Sequence, residues 1–389
     1  MNKNNLKIVH LTTAHLRYDT RIFVKMCSSL ANQGYDVSLI VADGKGDEIK
    51  NGVKIIDVGL LKNRFYRFFF SIIKVYRKAI KLNAKVYHFH DPELLLISGM
   101  LKLNSQADII YDVHENVKED ILGKDWIPLF FRRFISVLFV LTERLMLKFI
   151  NHIIVAEDSY LKIYKNRKNV TSILNYPIIS LRKNKKKIKS NKVDSIINMV
   201  YVGGVSRIRG AVELIESVNL LVSSGHSNIF LKIIGLISLD FKNELFKLIN
   251  KYKLNSHVAI CGVINHERVY DEFEKAHIGL SILHPDPNFI ESIPTKLYEY
   301  MSVGIPVIAS DFSMWKKIIE KYQCGICVNP MNPKEIAEAI ISIKDNPIKS
   351  MKMGTNGIAP VEEFYNWEKE SLKLINIYDD ILQINKLPN

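Results

Sequence analysis

The sequence predicts an α/β chain of two successive domains, each a parallel sheet flanked by helices. Three observations carry this. The chain has 389 residues, more than one ordinary core holds. Short apolar runs alternate with amphipathic segments in both halves, which is the strand–helix–strand grammar of a parallel sheet. A polar, lysine-rich run, LRKNKKKIKSNK, separates the halves. On this reading residues 1–178 form the first domain, 179–196 the linker and 197–365 the second. A final helix over 366–389 packs back on the first domain.

Composition narrows the function classes. The chain is 48% hydrophobic and 24% charged, which excludes collagen-like and wholly disordered chains. Four cysteines, Cys27, Cys261, Cys324 and Cys327, are too few for a disulfide scaffold and suit a reducing compartment. Cys324 and Cys327 make a lone CxxC, read as small residues entering a buried strand rather than a zinc site. No signal peptide is evident, because Lys7 and His10 interrupt the first apolar run. No apolar run reaches the roughly 18 residues of a membrane span. The net charge of +14 is uneven: residues 1–178 hold 27 Lys/Arg against 17 Asp/Glu, 179–196 hold 7 against 1, and 197–389 hold 20 against 22. That asymmetry points to an anionic partner surface, membrane or nucleic acid. The linker lacks aromatics for base stacking, which argues against nucleic acid.

In the first domain, Lys7 to Leu11 reads as a buried strand. A helix from Asp19 places Ile22, Phe23, Met26 and Leu30 on one face and stops at Gly34. Val37–Val41 and Val53–Val58 are the next strands. Residues 64–82 form a basic helix with an aromatic stripe through Phe65, Phe68 and Phe69. It either covers a sheet or lies on anionic lipid. Val86 begins a strand that runs into His90-Asp91-Pro92, and a helix follows over Leu94–Met100. Ile109 to Val113 leads into His114 and Glu115. Ligands bind at the C-terminal ends of parallel strands, where His90, Asp91, His114 and Glu115 all fall; the alternative is loop packing. Residues 126–150 are the most apolar. Trp126, Phe130 and Phe131 with Arg132 and Arg133 suit a membrane interface, and a core helix is the other reading. Ile153–Ala156 is a strand.

The second domain opens with strand Asn198–Val202, a Gly203-Gly204 turn and a helix. Arg207 and Arg209 flank the turn before Gly210, an arrangement suited to a diphosphate. Strands Phe230–Ile234 and Val258–Cys261 end at Gly235 and Gly262. Ile278–Leu283 and Ile326–Val328 are further strands. Helices fall around 240–253, 266–275 and Pro333–Ile343, and 361–383 close the chain as one helix containing Trp367. Glu291 to Asp311 reads as loop, helix, turn and strand. Pro294 suits the first helical turn, Leu297, Tyr300 and Met301 recur at helical spacing, and Gly304 ends the helix. Glu291 and Glu299 are not required by packing. The open N–H groups of this helix start suit a ligand phosphate, with a carboxylate on either side for hydroxyl groups.

Glu291-x7-Glu299 followed by xMxxGxPVIASD resembles the signature of retaining GT-B glycosyltransferases of family 4. YVGGVSRIRGAVELIESV, LKIIG, VAICGVI and CGICVNPMNPKEIAEAI continue the likeness. RYDTRIFVKMCSSLANQGYDVSLIVAD, HFHDPELL and IYDVHEN resemble a bacterial branch that builds surface polysaccharides. The resemblance implies two Rossmann-like parallel-sheet domains facing across a cleft. It implies that Glu299 holds the nucleotide's ribose hydroxyls and that Glu291 faces the donor sugar. The segment Ser292, Ile293, Pro294, Thr295 and Lys296 would bind the sugar and distal phosphate through its backbone. Arg209 would clamp the diphosphate, beside Arg207 and the strand-end glycines Gly203, Gly204, Gly235 and Gly262. His114 would sit near the donor's anomeric centre, with Asp19, Arg21, His90, Asp91 and Glu115 on the acceptor side. The chain departs from the family pattern at three points. Gly204 stands where a basic residue is usual, with Arg207 the candidate replacement. Asp19-Thr20-Arg21 stands at the first helix start, where the usual Gly-Gly loop is missing. Ser292-Ile293-Pro294 replaces a Gly-Phe-type continuation.

The expectation is a retaining transferase moving a sugar from a UDP- or GDP-sugar to a lipid-linked saccharide in O-antigen, capsule or exopolysaccharide synthesis. It would be cytoplasmic and peripheral on the inner face of the membrane. No metal or cofactor is expected, since no DxD-type cluster stands in a metal-binding setting. The rival readings are a GT-B nucleotide-sugar epimerase, which would release epimerised sugar without acceptor, and a non-catalytic basic membrane-surface binder.

Overall fold

The computed structural model describes residues 3–60, 64–123, 127–182 and 196–384. Trp126 and nearly all of the lysine-rich linker lie outside the described residues, as do the side chains of the 64–69 stripe, including Phe65, Phe68 and Phe69. The chain divides into two compact units, Met1–Asn175 with Lys369–Asn389, and Tyr176–Glu368. Each is a Rossmann-like parallel sheet of the GT-B class.

The first unit's strands are β1 (Lys7–Leu11), β2 (Asp36–Val41), β3 (Glu48–Lys50), β4 (Val53–Asp57), β5 (Val86–Phe89), β6 (Asp108–Val113), β7 (His152–Val155) and β8 (Val170–Ser172). Their order is β3-β4-β2-β1-β5-β6-β7-β8, parallel except for β3 against β4. The sequence reading lacks β3 and β8. Each is three residues long, too short to show a hydrophobic period. The first helix begins with a π-helical stretch, Thr20–Cys27, before Ser28–Asn32. Val24 N–H reaches back to Asp19 O at 3.1 Å, and the Asp19 carboxylate accepts from Arg21 N and Ile22 N at 2.8 and 2.9 Å, a side-chain N-cap.

Two helices with open readings now separate. Arg64–Leu82 buries Ile72, Val75 and Ala79 in the core, so it covers the sheet. Leu129–Met146 buries only Ser136, while Phe130 is 81% and Phe134 63% exposed; this excludes the core reading. Among the described residues no helix is long and apolar enough to cross a membrane.

The second unit's strands are β9 (Ile197–Val202), β10 (Ile229–Ile234), β11 (Val258–Ile260), β12 (Ile278–Ser281), β13 (Val307–Ser310) and β14 (Gly325–Val328). The order is β11-β10-β9-β12-β13-β14, all parallel. The order reverses between β9 and β12, the switch point at which such sheets take ligands. Helices Ser313–Tyr322 and Pro347–Glu363 are additional to the sequence reading. The second carries Gly354, Gly357 and Pro360, residues that weaken a helical pattern. They serve close packing: a Cβ at Gly354 would lie 2.0 Å from Gly304 O, and one at Gly357 would lie 3.0 Å from Met301. The single terminal helix over 361–383 is corrected. Asn366 Nδ2 donates to Val361 O and Glu362 O, both at 2.9 Å, and a new helix runs Trp367–Ile381.

Candidate active site

In the second unit the site helix Thr295–Ser302 follows the loop Glu291–Pro294. Pro294 stands just before the helix rather than in its first turn. Leu297, Tyr300 and Met301 are fully buried, as their spacing predicts. Tyr300 lies flat on β12, where a Cβ at Gly279 would come within 2.2 Å of its ring. Its hydroxyl donates to Leu280 O at 3.2 Å and Val200 O at 3.3 Å. The loop is tied from the other side: the buried Trp315 indole N–H donates to Ser292 O at 2.9 Å. Thr295 N–H is taken by Ile293 O at 2.9 Å, and Ser292 N–H by Phe289 O at 3.2 Å, so the helix start offers fewer open donors than the sequence implies. Glu299 is half-buried on the helix face opposite the core, and Glu291 is exposed on the loop.

The glycines meet this helix at the switch point. Gly203 N–H donates to Ile234 O at 2.9 Å and Gly235 N–H to Gly262 O at 2.7 Å, so the ends of β9, β10 and β11 form one row. Gly235 has φ +151°, and a Cβ there would collide with Gly203 O at 1.7 Å. Gly210, at φ +71°, is also tightly enclosed, since a Cβ there would lie 2.5 Å from Ile282 O. The Arg209 side chain lies along Gly204 and stacks on Phe289, 5.0 Å from its centroid. Arg207 points elsewhere: it pairs with Glu244 on the exposed surface. It is therefore not positioned as the replacement cation expected for Gly204.

In the first unit the predicted residues converge on a carboxylate that the sequence reading passes over. Asp112 Oδ2 accepts from Arg21 Nε at 3.0 Å, meets His90 Nδ1 at 3.1 Å and His114 Nε2 at 2.7 Å, and Oδ1 accepts from Arg21 Nη2 at 2.7 Å. Arg21 also donates to Ile173 O at 2.8 Å. It is buried, and its donors are turned inward rather than toward an acceptor. Asp91 Oδ2 accepts from Thr12 Oγ1 at 2.8 Å and Thr13 N at 2.6 Å, shaping the loop after β1. His15 bridges Asp91 and Asp19 at 3.3 and 3.6 Å, and its ring lies 4.9 Å from that of His114. His114 is partly accessible and Glu115 exposed.

The electrostatics follow from burial and pairing. Burial opposes ionisation of Asp112, but Arg21, His114 and His90 hold it well below the usual carboxylate range. Burial opposes the charge on His15, yet Asp19, Asp91 and Asp112 raise it to about 9. Burial pushes His90 down to about 4 against the pull of Asp112, and burial with neighbouring histidines lowers His10 and His88. His10 Nδ1 meets His90 Nε2 at 2.8 Å, and Tyr378 hydroxyl reaches His88 Nδ1 at 2.8 Å. His10, His88 and His90, and separately His90, Asp112 and His114, bring metal-capable atoms within 4.8 Å. The His10 and His90 rings stack at 13° and already share a hydrogen bond, so their lone pairs do not converge on one point.

A cavity of about 830 Å³ beside β14 is lined by Lys316, Glu320, Cys327, Lys349, Lys352 and Asn356 among others, and by none of the predicted site residues.

Residues 182–359 match the family model "Glycosyl transferases group 1". The chain is 28% identical over 185 residues to an alpha-D-kanosaminyltransferase of Streptomyces kanamyceticus, covering 47% of this chain and 45% of that one. It is 19% identical over 368 residues to the capsular polysaccharide biosynthesis glycosyltransferase CapH of Staphylococcus aureus, covering 92% and 98%. The chain spans about half the length, or less, of the first curated relatives it matches. Among solved structures, sucrose-phosphate synthase from Thermosynechococcus elongatus superposes with TM-score 0.76 at 18% identity, over 98% of this chain and all of that one. Anabaena HepE in complex with UDP-glucose superposes with TM-score 0.72 at 13% identity, over 96% and 100%.

Proposed function

We propose that this chain is a retaining glycosyltransferase of family 4 that moves a sugar from a UDP- or GDP-sugar to a lipid-linked saccharide in bacterial surface-polysaccharide synthesis. The observation that carries the reading is the second unit's switch point, where Arg209, the glycine row and the start of helix Thr295–Ser302 meet beside Glu299. The group 1 family match over this unit supports it. CapH, which resembles the chain end to end, supports the polysaccharide setting.

In this mechanism Glu299 anchors the ribose hydroxyls and Glu291 faces the sugar. The bond from the anomeric carbon to the diphosphate oxygen breaks through an oxocarbenium-like state. The acceptor oxygen bonds to that carbon on the same face, and its proton passes to the leaving phosphate. The charge developing on the diphosphate is met by Arg209 and backbone N–H dipoles, fixed before reaction, without a metal ion. His114, oriented by Asp112, serves the acceptor side. The apolar exposed helix Leu129–Met146 and the basic first domain favour an acceptor presented at an anionic membrane on the cytoplasmic side. The sucrose-type relatives favour a small soluble sugar as acceptor instead.

A thermal-shift screen of nucleotide sugars tests the reading. A UDP- or GDP-sugar should raise Tm by mass action, and incubation with lipid-linked acceptor should give product of unchanged anomeric configuration in the presence of EDTA. Absence of any shift across the donors, or release of epimerised sugar without acceptor, overturns it.

A further inference from the structure

The turn after β9 carries two cations, one over each glycine. A Cβ at Gly203 would lie 2.4 Å from Lys296 Cε and 2.8 Å from its Nζ, whereas at Gly204 the nearest atoms are those of Arg209, from 3.5 Å. Gly203 has φ +138°, a conformation that also favours glycine. The Lys296 chain therefore folds back from the site helix and fills the space that a side chain at 203 would occupy. Its ammonium stands 4.9 Å from the centroid of Tyr201, as Arg209 stands over Phe289. Tyr201 is held in place by its hydroxyl, which donates to Gly204 O at 2.6 Å.

Among the described residues neither Lys296 nor Arg209 has a carboxylate within ion-pair distance of 4.0 Å. The groups facing Lys296 are Tyr201 from β9, Arg209 from the turn and Glu299 from its own helix. Two cations brought together without an intimate counter-ion repel each other, and for half-buried groups such as Lys296 and Arg209 the partly desolvated charge is disfavoured until an anion joins it. Burial, with Arg209 adding to it, pushes the Lys296 ammonium down to about 7, against the pull of Glu299.

We infer that the Lys296 side chain is the second phosphate-binding cation of the site, closing with Arg209 on the diphosphate of the donor. The inference rests on the donor reading above and deepens it. Lys296 brings its charge from the site helix, while Arg207 is occupied with Glu244 on the surface. The arrangement gives a binding signature: at neutral to mildly alkaline pH part of the Lys296 population is neutral, so a diphosphate that requires the ammonium draws in a proton.

The test is calorimetric titration of the full chain with UDP, GDP, ADP and inorganic pyrophosphate at pH 8, in two buffers of different ionisation enthalpy. Wild type should bind at least one of these and take up a fraction of a proton. Lys296→Met should weaken that binding about tenfold or more, the scale of a lost charged hydrogen bond, and abolish proton uptake. Lys296→Arg, which stays charged, should keep most of the affinity but take up no proton. Thermal melts of each variant establish that it is folded. If wild type binds none of the four, the donor reading itself fails. If wild type binds and Lys296→Met binds equally well with the same proton uptake, the donor reading stands and the Lys296 assignment is overturned. If Lys296→Met binds weakly and Lys296→Arg, folded, binds as weakly as Met, the side chain acts by packing rather than charge, which also overturns it.

Discussion

Arg21 and Asp112 form a bidentate ion pair at 2.7 and 3.0 Å with both side chains buried, and the same carboxylate holds His90 and His114. The pair joins the first helix to the end of β6. It fixes the one predicted acceptor-side histidine that solvent reaches. Breaking a buried pair by removing one partner leaves an uncompensated charge and costs about 3–5 kcal/mol. Asp112→Asn should lower the unfolding free energy on that scale, measured by urea denaturation. A loss below about 1 kcal/mol would mean that Arg21 finds another partner.

The histidines set an acid limit. In the unfolded chain a histidine titrates near about 6.5, whereas His90 is held at about 4 and His10 and His88 are also lowered. Between these values the unfolded chain binds protons that the fold excludes, so stability falls as pH drops from about 6.5 toward 4. Asp112 acts in the same direction at lower pH, since its depressed value makes its contribution present above about 3.9 and lost below. His15 has the opposite sign. Raised to about 9, it stabilises fully below about 6.5 and loses that contribution as pH rises through 9. Tm should therefore decline from pH 7 to pH 5; an unchanged Tm over that range contradicts the assignment.

Gly279 tests how the site helix is seated. With Tyr300 pressed against it, Gly279→Ala must displace a buried ring, an overpacking cost of about 1–3 kcal/mol. Gly123→Ala is the control, since a Cβ there meets nothing within 4 Å. Equal melting temperatures for the two variants would show that Tyr300 yields without cost.

For the membrane face, Arg132 is a poor probe. Its guanidinium donates to Ile127 O at 2.5 Å and Leu122 O at 3.3 Å, so changing it disturbs the helix entry. Arg133, Phe130 and Leu138 are exposed. Each Phe or Leu side chain taken out of water contributes roughly 1.5–3 kcal/mol. The double change Phe130→Ser with Leu138→Ser should reduce flotation with anionic liposomes by at least tenfold, and Arg133→Glu should reduce it in a salt-dependent way. Undiminished flotation in both would remove the helix from the membrane proposal.

Much of the fold was legible because both sheets are built from βαβ units whose buried strands read as apolar runs. The site helix was legible through the spacing of Leu297, Tyr300 and Met301, all of which the core buries. Asp112 was not, because inside IIYDV it looks like one polar residue in a strand. Two of its three partners, Arg21 and His90, come from other segments, and β5–β6 register, with Phe89 opposite Tyr111, is what sets His90 beside it. His10 and His88 were missed likewise, since only the β1–β5 pairing places them opposite each other. Lys296 was read for its backbone alone. Nothing local says that its chain folds over Gly203, ninety-three positions earlier.

The measurement closest to the central claim is nucleoside diphosphate release from UDP- or GDP-sugar, with native membranes supplying acceptor, by wild type and by Glu299→Ala and Arg209→Ala. Each variant removes a charged hydrogen-bonding group assigned to the donor, a loss of about 10- to 100-fold or more in turnover, while its thermal melt shows that it is folded. Donor-dependent release by wild type, with both folded variants reduced on that scale, is the predicted result. Wild-type release surviving both substitutions would contradict the site.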